Sequence, residues 1–387
     1  MEEKQLRSGF TTGTCAAVAA KAAAAMLLTG KKLHHMAVVT PKGKTADLPL
    51  FHIVLQENMV SCAVQKDAGD DPDVTNGTMV FASVEYAAGR EPGNGFYSWK
   101  EGGESQPLFL TAGEGIGRVT KPGLSCPVGM PAINPVPRTM IFEGVEEIRK
   151  KDGFDSPLKI CIWMPEGEML AEKTFNPRLG VVGGLSILGT TGIVNPMSED
   201  ALKATIALEL HMKAVQGHRK VILTPGNYGE TFIRKTLGLS MDSGVTCSNF
   251  IGEALGMAEK EGFHRILLIG HLGKLIKIAG GVPNTHSKYG DRRMEILEEC
   301  IGALPQGKSL EKSRILNANT TEEAVEILKS RGILGPVMKE AVDRMQNFAS
   351  LWAGGINVEV VTFSTAHGIL GASPGAEALI RLFAETD

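Results

Sequence analysis

Residues 265–274 read Arg-Ile-Leu-Leu-Ile-Gly-His-Leu-Gly-Lys, and this stretch decides the fold of the second half of the chain. The apolar run Arg265–Ile269 predicts a buried strand. Ligands of open α/β sheets bind beyond the carboxyl ends of such strands. Basic side chains are concentrated from here to residue 293: His271, Lys274, Lys277, His286, Lys288, Arg292 and Arg293. Because the intervening glycines let a ligand approach the backbone, the segment predicts a site for an anionic ligand.

Strands alternate with helices on both sides of this stretch. Lys220–Thr224, Arg265–Ile269 and Val358–Phe363 are predicted as strands. Helices are predicted over Ser198–Gln216, Thr231–Leu237, Asn249–Glu261, Asp291–Cys300, Thr321–Ser330, Val337–Leu351 and Pro374–Ala384, with Ser373 as the last N-cap. Such alternation is typical of a mostly parallel, Rossmann-like α/β sheet.

The first half has a different pattern, in which one helix is followed by several short strands. An alanine-rich helix is predicted from Thr12, with Thr12 or Thr14 as its cap and Gly30 after its end. The predicted strands are Met36–Thr40, Thr45–Leu50, Met59–Gln65, Met79–Tyr86, Leu108–Thr111, Arg118–Thr120 and Leu158–Met164, with a helix within Pro135–Lys151. This order favours an α+β domain over residues 1–180, and the glycine-rich run Gly180–Gly192 marks the junction to an α/β domain over residues 181–387.

Composition limits the classes of partner. The chain has 387 residues, a net charge of −3 and 5% aromatic residues, which argues against binding to nucleic acid or a membrane surface. The apolar run from Ala16 to Leu28 is mostly alanine and too short to span a bilayer. Six cysteines lie far apart without a CxxC pair, and the first residues are charged. A cytoplasmic location is therefore expected.

Two further predicted strands end in polar loops that contain glycine. Thr224-Pro225-Gly226-Asn227-Tyr228-Gly229 follows one, and Ser364-Thr365-Ala366-His367-Gly368 follows the other. Carboxyl ends of parallel strands meet at one edge, so these loops and Gly270–Lys274 are expected to share a pocket. Ordinary β–α turns are the alternative.

Three N-terminal motifs each have a structural alternative. Gly113-x-Gly115-x-Gly117 resembles a nucleotide loop, but Pro122 argues against the helix that such a loop requires, which favours a tight turn. Asp67–Asp73 is acidic enough for a divalent cation, although a polar loop or pairing with a nearby arginine is the alternative. Thr11 and Thr12 open a helix, where they either bind an anion or only cap it.

The motifs of several enzyme classes are absent from the sequence. The sequence contains no GxSxG elbow, no GxxxxGK[ST] phosphate loop and no HExxH zinc motif. Hydrolase, kinase and metalloprotease functions therefore lose support, and no metal site is predicted.

Long motifs along the chain resemble the CbiD family, in that family's order and from about residue 6 to 380. They are Ser8–Ala17, Lys66–Asp73, Gly113–Gly117, Ala132–Arg138, Asn176–Gly180, Gly183–Gly192 and Gly270–Lys274. The resemblance implies a cobalt-precorrin-5B C1-methyltransferase of the oxygen-independent cobalamin pathway. It further implies S-adenosylmethionine as the methyl donor and cobalt-precorrin-6A as the product.

The site residues are assigned with this chemistry in mind. The donor is expected against the strand-end loops, at Thr224, Gly226, Asn227, Gly229, Gly270 and Gly273. The substrate is an anionic cobalt corrinoid, and its carboxylates are expected at Thr11, Thr12, Arg138, Arg178, Lys274, Lys277, Lys288, Arg292 and Arg293.

His271 and His286 are the candidates for a catalytic base, because imidazole titrates near neutral pH. A structural role is the alternative for each. Two other functions stay open: a non-enzymatic corrinoid-binding or metal-delivery protein, and a small-molecule kinase that uses the Gly113–Gly117 turn. The sequence leaves the oligomeric state open, including a homo-oligomer.

Overall fold

The computed structural model describes residues 6–87, 93–100, 106–305 and 313–385. The chain divides into two compact units, Met1–Ser198 and Glu199–Asp387. Each unit has its own sheet and its own hydrophobic core. The division lies beyond residue 180, and strand pairing within the first unit explains why.

The first unit is built around one six-stranded sheet. Its elements are β1 (Gly9–Phe10), α1 (Thr12–Thr29), β2 (His35–Val39), β3 (Thr45–Pro49), β4 (Phe51–Leu55), β5 (Met59–Gln65), β6 (Met79–Tyr86), β7 (Tyr97–Trp99), β8 (Leu108–Ala112), β9 (Gly115–Ile116), β10 (Arg118–Val119), α2 (Pro135–Lys151), β11 (Leu158–Trp163), α3 (Gly167–Ala171), β12 (Val181–Val182), β13 (Gly184–Leu185) and β14 (Ile193–Val194). The order in the main sheet is β4-β5-β6-β11-β8-β7, and only β11 and β8 pair in parallel.

Helix α1 forms the centre of this unit's core. The Thr11 hydroxyl caps it by accepting from the amide of Thr14 at 3.3 Å, so the cap lies one residue before the positions expected from the sequence. Its alanine side chains are small, and the helix packs closely against α2, β5 and β6. Among the described helices, α1 alone is long and apolar enough to cross a bilayer, and 89% of it is buried. Its place in the core accounts for its apolar composition.

The glycine-rich run belongs to the first unit. Strands β12 and β14 pair antiparallel with β10 and β1, and β13 pairs in parallel with β9. The expected domain boundary near residue 180 therefore falls inside this unit, because a change in composition does not reveal these long-range pairings.

The second unit contains a five-stranded sheet and most of the helices. Its elements are α4 (Glu199–Val215), β15 (Lys220–Thr224), α5 (Asn227–Lys235), β16 (Gly244–Thr246), α6 (Ile251–Lys260), β17 (Arg265–His271), α7 (Leu272–Ala279), a 3-10 turn (Ser287–Tyr289), α8 (Arg293–Ala303), α9 (Ser313–Leu316), α10 (Thr321–Ser330), α11 (Leu334–Trp352), β18 (Val358–Ser364), β19 (Gly368–Ala372) and α12 (Ala376–Ala384). The strand order is β16-β15-β17-β18-β19. All neighbours pair in parallel except β18 and β19, which confirms the parallel arrangement expected for the three predicted strands.

Alternate residues of the strands bury opposite faces of this sheet. Leu223 and Leu268 pack with α7 in one core, whereas Ile222 and Ile269 pack with α5 in the other. Helices α5 and α7 therefore cover opposite faces. This alternation is the expected result of fully buried strands in an α/β sheet.

Several boundaries differ from the sequence expectation. Helix α7 begins directly after β17, where a glycine-rich loop was expected, and α5 begins at Asn227 rather than Thr231. Ser373 does not cap α12, because its hydroxyl donates to Glu359 and accepts from the amide of Val360. Local propensity is a weak guide where tertiary contacts decide these ends.

Candidate active site

The carboxyl ends of β15, β17 and β18 lie along one edge of the second unit's sheet. The chain leaves β15 toward β16 on one side, while β17 occupies the other side of β15. Where the connections from neighbouring strands run to opposite sides of a parallel sheet, a crevice opens beyond the strand ends, and ligands of open sheets bind there. The loop after β15 and the first turn of α7 flank this crevice, and most of the expected donor residues lie on them.

His271 ends β17 and caps α7. Its Nδ1 accepts a hydrogen bond from the amide of Gly273 at 3.1 Å, and its Nε2 lies 3.1 Å from Oε1 of Glu322 on α10. Because Nδ1 accepts, the ring proton resides on Nε2 and is donated to the carboxylate. Both nitrogens are therefore engaged, which supports the structural alternative for this residue.

Lys274 lies one turn into α7 and reaches the loop after β15. Its Nζ is 3.5 Å from the position that a Cβ on Gly226 would occupy. The side chain is half-buried, and burial lowers the pKa of its ammonium group, an effect that Cys247 opposes. No acceptor among the described residues pairs with this ammonium.

Unpaired hydroxyl groups lie at the ends of β15 and β16. Thr224 and Thr246 are register partners, and neither buried Oγ1 has a hydrogen-bond partner among the residues that the structure describes. Thr224 is fully buried, and its Oγ1 contacts the first turn of α5, where a Cβ on Gly229 would lie 1.7 Å from it. A buried hydroxyl without a partner carries a desolvation cost, so each such group calls for an explanation.

The expected donor glycines have different roles. Gly226 has a φ of 89° and permits the turn into α5. A Cβ on Gly270 would lie 3.0 Å from Cγ of Pro225 and 2.9 Å from Cγ of Leu275, so Gly270 allows the loop after β15 and helix α7 to pack closely against β17. At Gly273, a Cβ would lie 3.2 Å from Nδ1 of His271. Packing alone thus accounts for Gly270 and Gly273.

The loop after α7 is held in place by hydrogen bonds from a lysine of α7 and within the loop itself. Lys277 is buried, and its Nζ donates to the carbonyl oxygens of Thr285 and Gly290 at 3.2 and 3.0 Å. His286 is exposed, and its Nδ1 accepts from the amide of Lys288 at 3.1 Å. Lys277 is therefore committed to the fold, in contrast to its expected role in substrate binding.

The remaining cations of this segment form ion pairs. Lys288 pairs with Glu199, Arg292 with Glu299 at 2.8 Å, and Arg293 with Asp291 at 2.5 Å. The hydrogen bond from Arg293 lowers the pKa of the Asp291 carboxyl. Exposed pairs of this kind contribute little stability, so these side chains can exchange partners at low cost.

In the first unit, Thr11 and Thr12 hold the glycine-rich run. The Thr12 hydroxyl lies 3.2 Å from both the amide and the carbonyl oxygen of Leu188, and the amide of Gly13 donates to the same carbonyl. Both threonines are buried, and a cavity of about 130 Å³ lies beside them. These contacts favour the capping alternative over the anion site that the sequence suggests.

Arg138 is different, because its guanidinium stacks on the ring of Tyr97 at 4.0 Å. Its buried Nε has no hydrogen-bond partner. Arg178 is exposed and lies 6.0 Å from the ring of Phe175. A stacked guanidinium retains donors along its edge, so Arg138 is suited to bind a carboxylate.

The carboxylates of Asp67–Asp73 have protein partners. Asp67 pairs with Arg7 at 2.5 Å, and Asp73 pairs with the buried Lys66 at 2.5 Å. Asp70 and Asp71 accept from the backbone amides of Arg7 and Met197. Pairing with nearby cations and amides therefore accounts for this acidic run.

The Gly113–Gly117 segment forms β9 and the start of a small sheet, and no helix follows it directly. Gly115 has a φ of 72°, and a Cβ there would lie 1.7 Å from the carbonyl oxygen of Met164. Close packing explains this glycine, as the tight-turn interpretation predicts. A cavity of about 330 Å³ lies beside the segment, and its charged lining residues are Glu114, Arg118 and Glu168.

Three residues of the crevice gave no signal in the sequence analysis. Thr246 ends β16 and Cys247 follows it, and the three residues of this strand are too few to show a periodic pattern. Glu322 comes from α10, far along the chain from its partner His271. An acidic residue in a first helical turn is common, so Glu322 could not have been distinguished.

Comparison with known proteins places the chain in a family. The family model CbiD matches residues 1–196, and CbiD, C-terminal domain, matches residues 284–374. Cobalt-precorrin-5B C(1)-methyltransferases are similar along nearly the whole chain: that of Ruminiclostridium cellulolyticum is 43% identical over 93% of this chain and 90% of its own length. The enzyme of Clostridioides difficile strain 630 is 40% identical over 99% and 98% of the two chains.

Among solved structures, a cobalamin biosynthesis protein (cbiD) from Archaeoglobus fulgidus is similar, with 27% sequence identity and a TM-score of 0.38. The match covers 72% of this chain and 82% of that one. The family model that spans the first half, together with relatives about 40% identical over nearly full length, establishes that this chain belongs to the CbiD family.

Proposed function

We propose that this protein is a cobalt-precorrin-5B C1-methyltransferase of cobalamin biosynthesis, acting in the cytoplasm. The observation that carries the proposal is identity of about 40% with methyltransferases of that name over nearly the whole chain. The two family models match segments of both units, so the similarity is not confined to one of them.

The methyl donor in this proposal is S-adenosylmethionine, bound at the crevice between β15 and β17. Three observations support that place: the chain proceeds from β15 to β16 on one side and then to β17 on the other, a glycine precedes α5, and the polar groups of Thr224, Thr246 and Lys274 have no partner among the described residues. A Rossmann-like arrangement of strands and helices is part of this proposal. Such sheets bind ligands at this position.

The chemistry is a displacement at the methyl carbon. The electron pair of ring carbon C1 forms the new bond as the bond from the methyl carbon to the sulfonium sulfur breaks, and the sulfur retains that electron pair. S-adenosylhomocysteine leaves as the second product. Alignment of donor and acceptor can supply a large part of the rate acceleration, so residues that fix the donor matter most.

A base role for His271 or His286 stays a prediction. Such a role needs a ring nitrogen with a free electron pair, whereas Nδ1 of each histidine accepts a backbone amide. We propose that His271 instead positions the first turn of α7, and with it Lys274. Substitution by asparagine, which can also cap a helix, separates the two roles.

Macrocycle carboxylates are assigned to cations that can take a new partner. In the second unit, Lys288, Arg292 and Arg293 form only exposed or half-exposed pairs. Bidentate binding of carboxylate by guanidinium suits a substrate with many acidic side chains.

Calorimetry with S-adenosylhomocysteine, followed by a methyl-transfer assay, tests the proposal. The expected result is saturable binding at micromolar concentrations and transfer of one methyl group to the corrinoid. Corrinoid binding without any donor binding would instead favour the carrier function. Binding of magnesium-ATP at the Gly113–Gly117 turn would favour the kinase.

A further inference from the structure

Lys274 differs from the other cations of its segment in the surroundings of its ammonium group. Lys277, Lys288, Arg292 and Arg293 each have a protein acceptor, whereas Lys274 has none among the described residues. Its Nζ lies beside Gly226 in the loop after β15. Lys274 therefore lies against the loop that is expected to bind the donor, and not against the other cations of its segment.

Within the part of the chain that the structure describes, no carboxylate neutralises the charge of the Lys274 ammonium group. Burial lowers the pKa of Lys274, and Cys247 acts in the opposite direction. Cys247 is itself fully buried. Burial raises the pKa of that thiol to about 12, so at neutral pH it is uncharged and provides no counter-ion. A half-buried charge without a partner is unfavourable for folding, and its retention is typical of a ligand contact.

The start of α5 supplies further donors at the same place. Gly226 at the N-cap has no side chain to accept from the first amides, and the amides of Asn227 and Tyr228 have no acceptor in the described part of the chain. The helix has nine residues, so its first turn carries a partial positive charge. Backbone amides and a lysine beside them form a binding site for an anion.

Thr224 is an independent indication that a polar ligand group belongs here. It is fully buried, its Oγ1 has no hydrogen-bond partner in the described part of the chain, and that oxygen contacts the first turn of α5 at Gly229. The hydroxyl of Thr246 on the neighbouring strand is also buried and unpaired. Native proteins rarely leave two adjacent buried hydroxyl groups unpaired without a ligand or an ordered water.

We infer that Lys274 and the first amides of α5 bind the carboxylate of the methyl donor and so position its sulfonium methyl group. This inference rests on the proposed function. A carboxylate has one negative charge and two acceptor oxygens, which suit the one positive charge of Lys274 and the two backbone amides. A carboxylate of the macrocycle has the same chemistry, and the experiment below distinguishes the two sources. Lys274 is in this account a positioning residue.

The test is calorimetry with two donor-site ligands and, as a third titrant, the corrinoid substrate. S-adenosylhomocysteine carries the carboxylate, whereas 5′-methylthioadenosine lacks the whole amino-acid end. Lys274→Met should weaken binding of S-adenosylhomocysteine roughly 10- to 150-fold, as expected for a lost charge-assisted contact. Binding of 5′-methylthioadenosine should be unchanged. Lys274→Arg should recover part of the loss, because it restores the positive charge.

Lys260→Met is the matched control, since Lys260 is exposed in the last turn of α6 and the same unit. It should bind both ligands as the unaltered protein does. Thermal unfolding of each variant checks that the fold is intact, and Lys274→Arg serves if Lys274→Met fails to fold.

Three outcomes overturn the inference while leaving the proposed function intact. Equal losses for both ligands would mean that Lys274 does not contact the carboxylate. No loss for either would have the same meaning. Weaker binding of the corrinoid alone would assign Lys274 to the macrocycle. If the unaltered protein binds no S-adenosylhomocysteine, the proposed function fails, and this inference fails with it.

Discussion

Lys274 and Lys277 lie one turn apart on α7, yet their environments differ completely. Lys277 is buried and donates to two backbone carbonyls, whereas Lys274 lies beside the loop after β15 and has no acceptor among the described residues. The sequence predicted both as carboxylate-binding residues, because type and spacing are the same for a lysine that holds a loop and one that meets a ligand. The difference arises from contacts with residues 226 and 285–290, which no local pattern encodes.

His271 has a testable structural role. His271→Asn should keep the cap of α7, because asparagine is among the best N-cap residues, and should retain thermal stability and most of the turnover. His271→Ala should lose about 1 kcal/mol of stability and bind the donor more weakly as Lys274 shifts. Differential scanning calorimetry and steady-state kinetics give both quantities.

A base role would produce a different pattern. His271→Asn would then fold normally and bind the donor normally, but its turnover would fall by about 10²- to 10⁴-fold. That result would contradict the positioning role and restore the assignment expected from the sequence.

Asp73 supports a buried cation in the first unit. The side chain of Lys66 is 1% exposed and pairs with Asp73, so Asp73→Asn should leave an unpaired ammonium and destabilise the protein by about 3 kcal/mol. Although burial alone raises the pKa of Asp73, hydrogen bonds from Lys66 and Thr75 lower it below 3.8 overall. The stabilisation is therefore present above pH 3.8 and is lost as the pH falls through the folded-state pKa.

Urea unfolding at several pH values measures this difference. Glu57→Gln, an exposed position, should change the free energy of unfolding by less than about 0.5 kcal/mol. A destabilisation by Asp73→Asn that persists unchanged at pH values well below 3.8 would contradict the ion-pair explanation.

At the scale of elements, long and strongly patterned segments were predictable. The bounds of β5, β6 and α10 agree with the sequence expectation, because alternation, a capping threonine and acidic first-turn residues give local signals. Helix α7 was missed since three glycines flank or interrupt it. Strand β16 was missed because three residues bear no pattern, and its place beside β15 depends on tertiary pairing.

The glycine of β9 allows a test of close packing against ligand binding. Gly115→Ala should destabilise the first unit by about 3 kcal/mol, since it combines a positive φ with a clash against the carbonyl oxygen of Met164. Gly43→Ala is the matched control, because Gly43 has a φ of 81° but open space around it, and should cost only about 1 kcal/mol.

Chemical unfolding of both variants gives the comparison. Equal small losses would contradict the packing explanation, and a stable Gly115→Ala variant that loses binding of a nucleotide or donor would revive the ligand-loop interpretation of Gly113–Gly117.

At the scale of the molecule, the change from a mixed sheet to a parallel one was visible in the order of predicted strands and helices. The exact division was not, because the run over residues 181–194 pairs back with strands near the N-terminus and residue 115. The family was predicted from motifs in both halves, and the relatives confirm it. The partners of individual cations depended on the fold and could not be predicted.

The most direct measurement is incubation of the purified protein with cobalt-precorrin-5B and S-adenosylmethionine labelled with ¹³C in its methyl group. The account predicts one labelled methyl group on ring carbon C1, detected by NMR, with one S-adenosylhomocysteine formed per corrinoid. Lys274→Met should slow this transfer at low donor concentration and recover as the donor is raised. Tight corrinoid binding without labelled product, or a label on another ring carbon, would contradict the account.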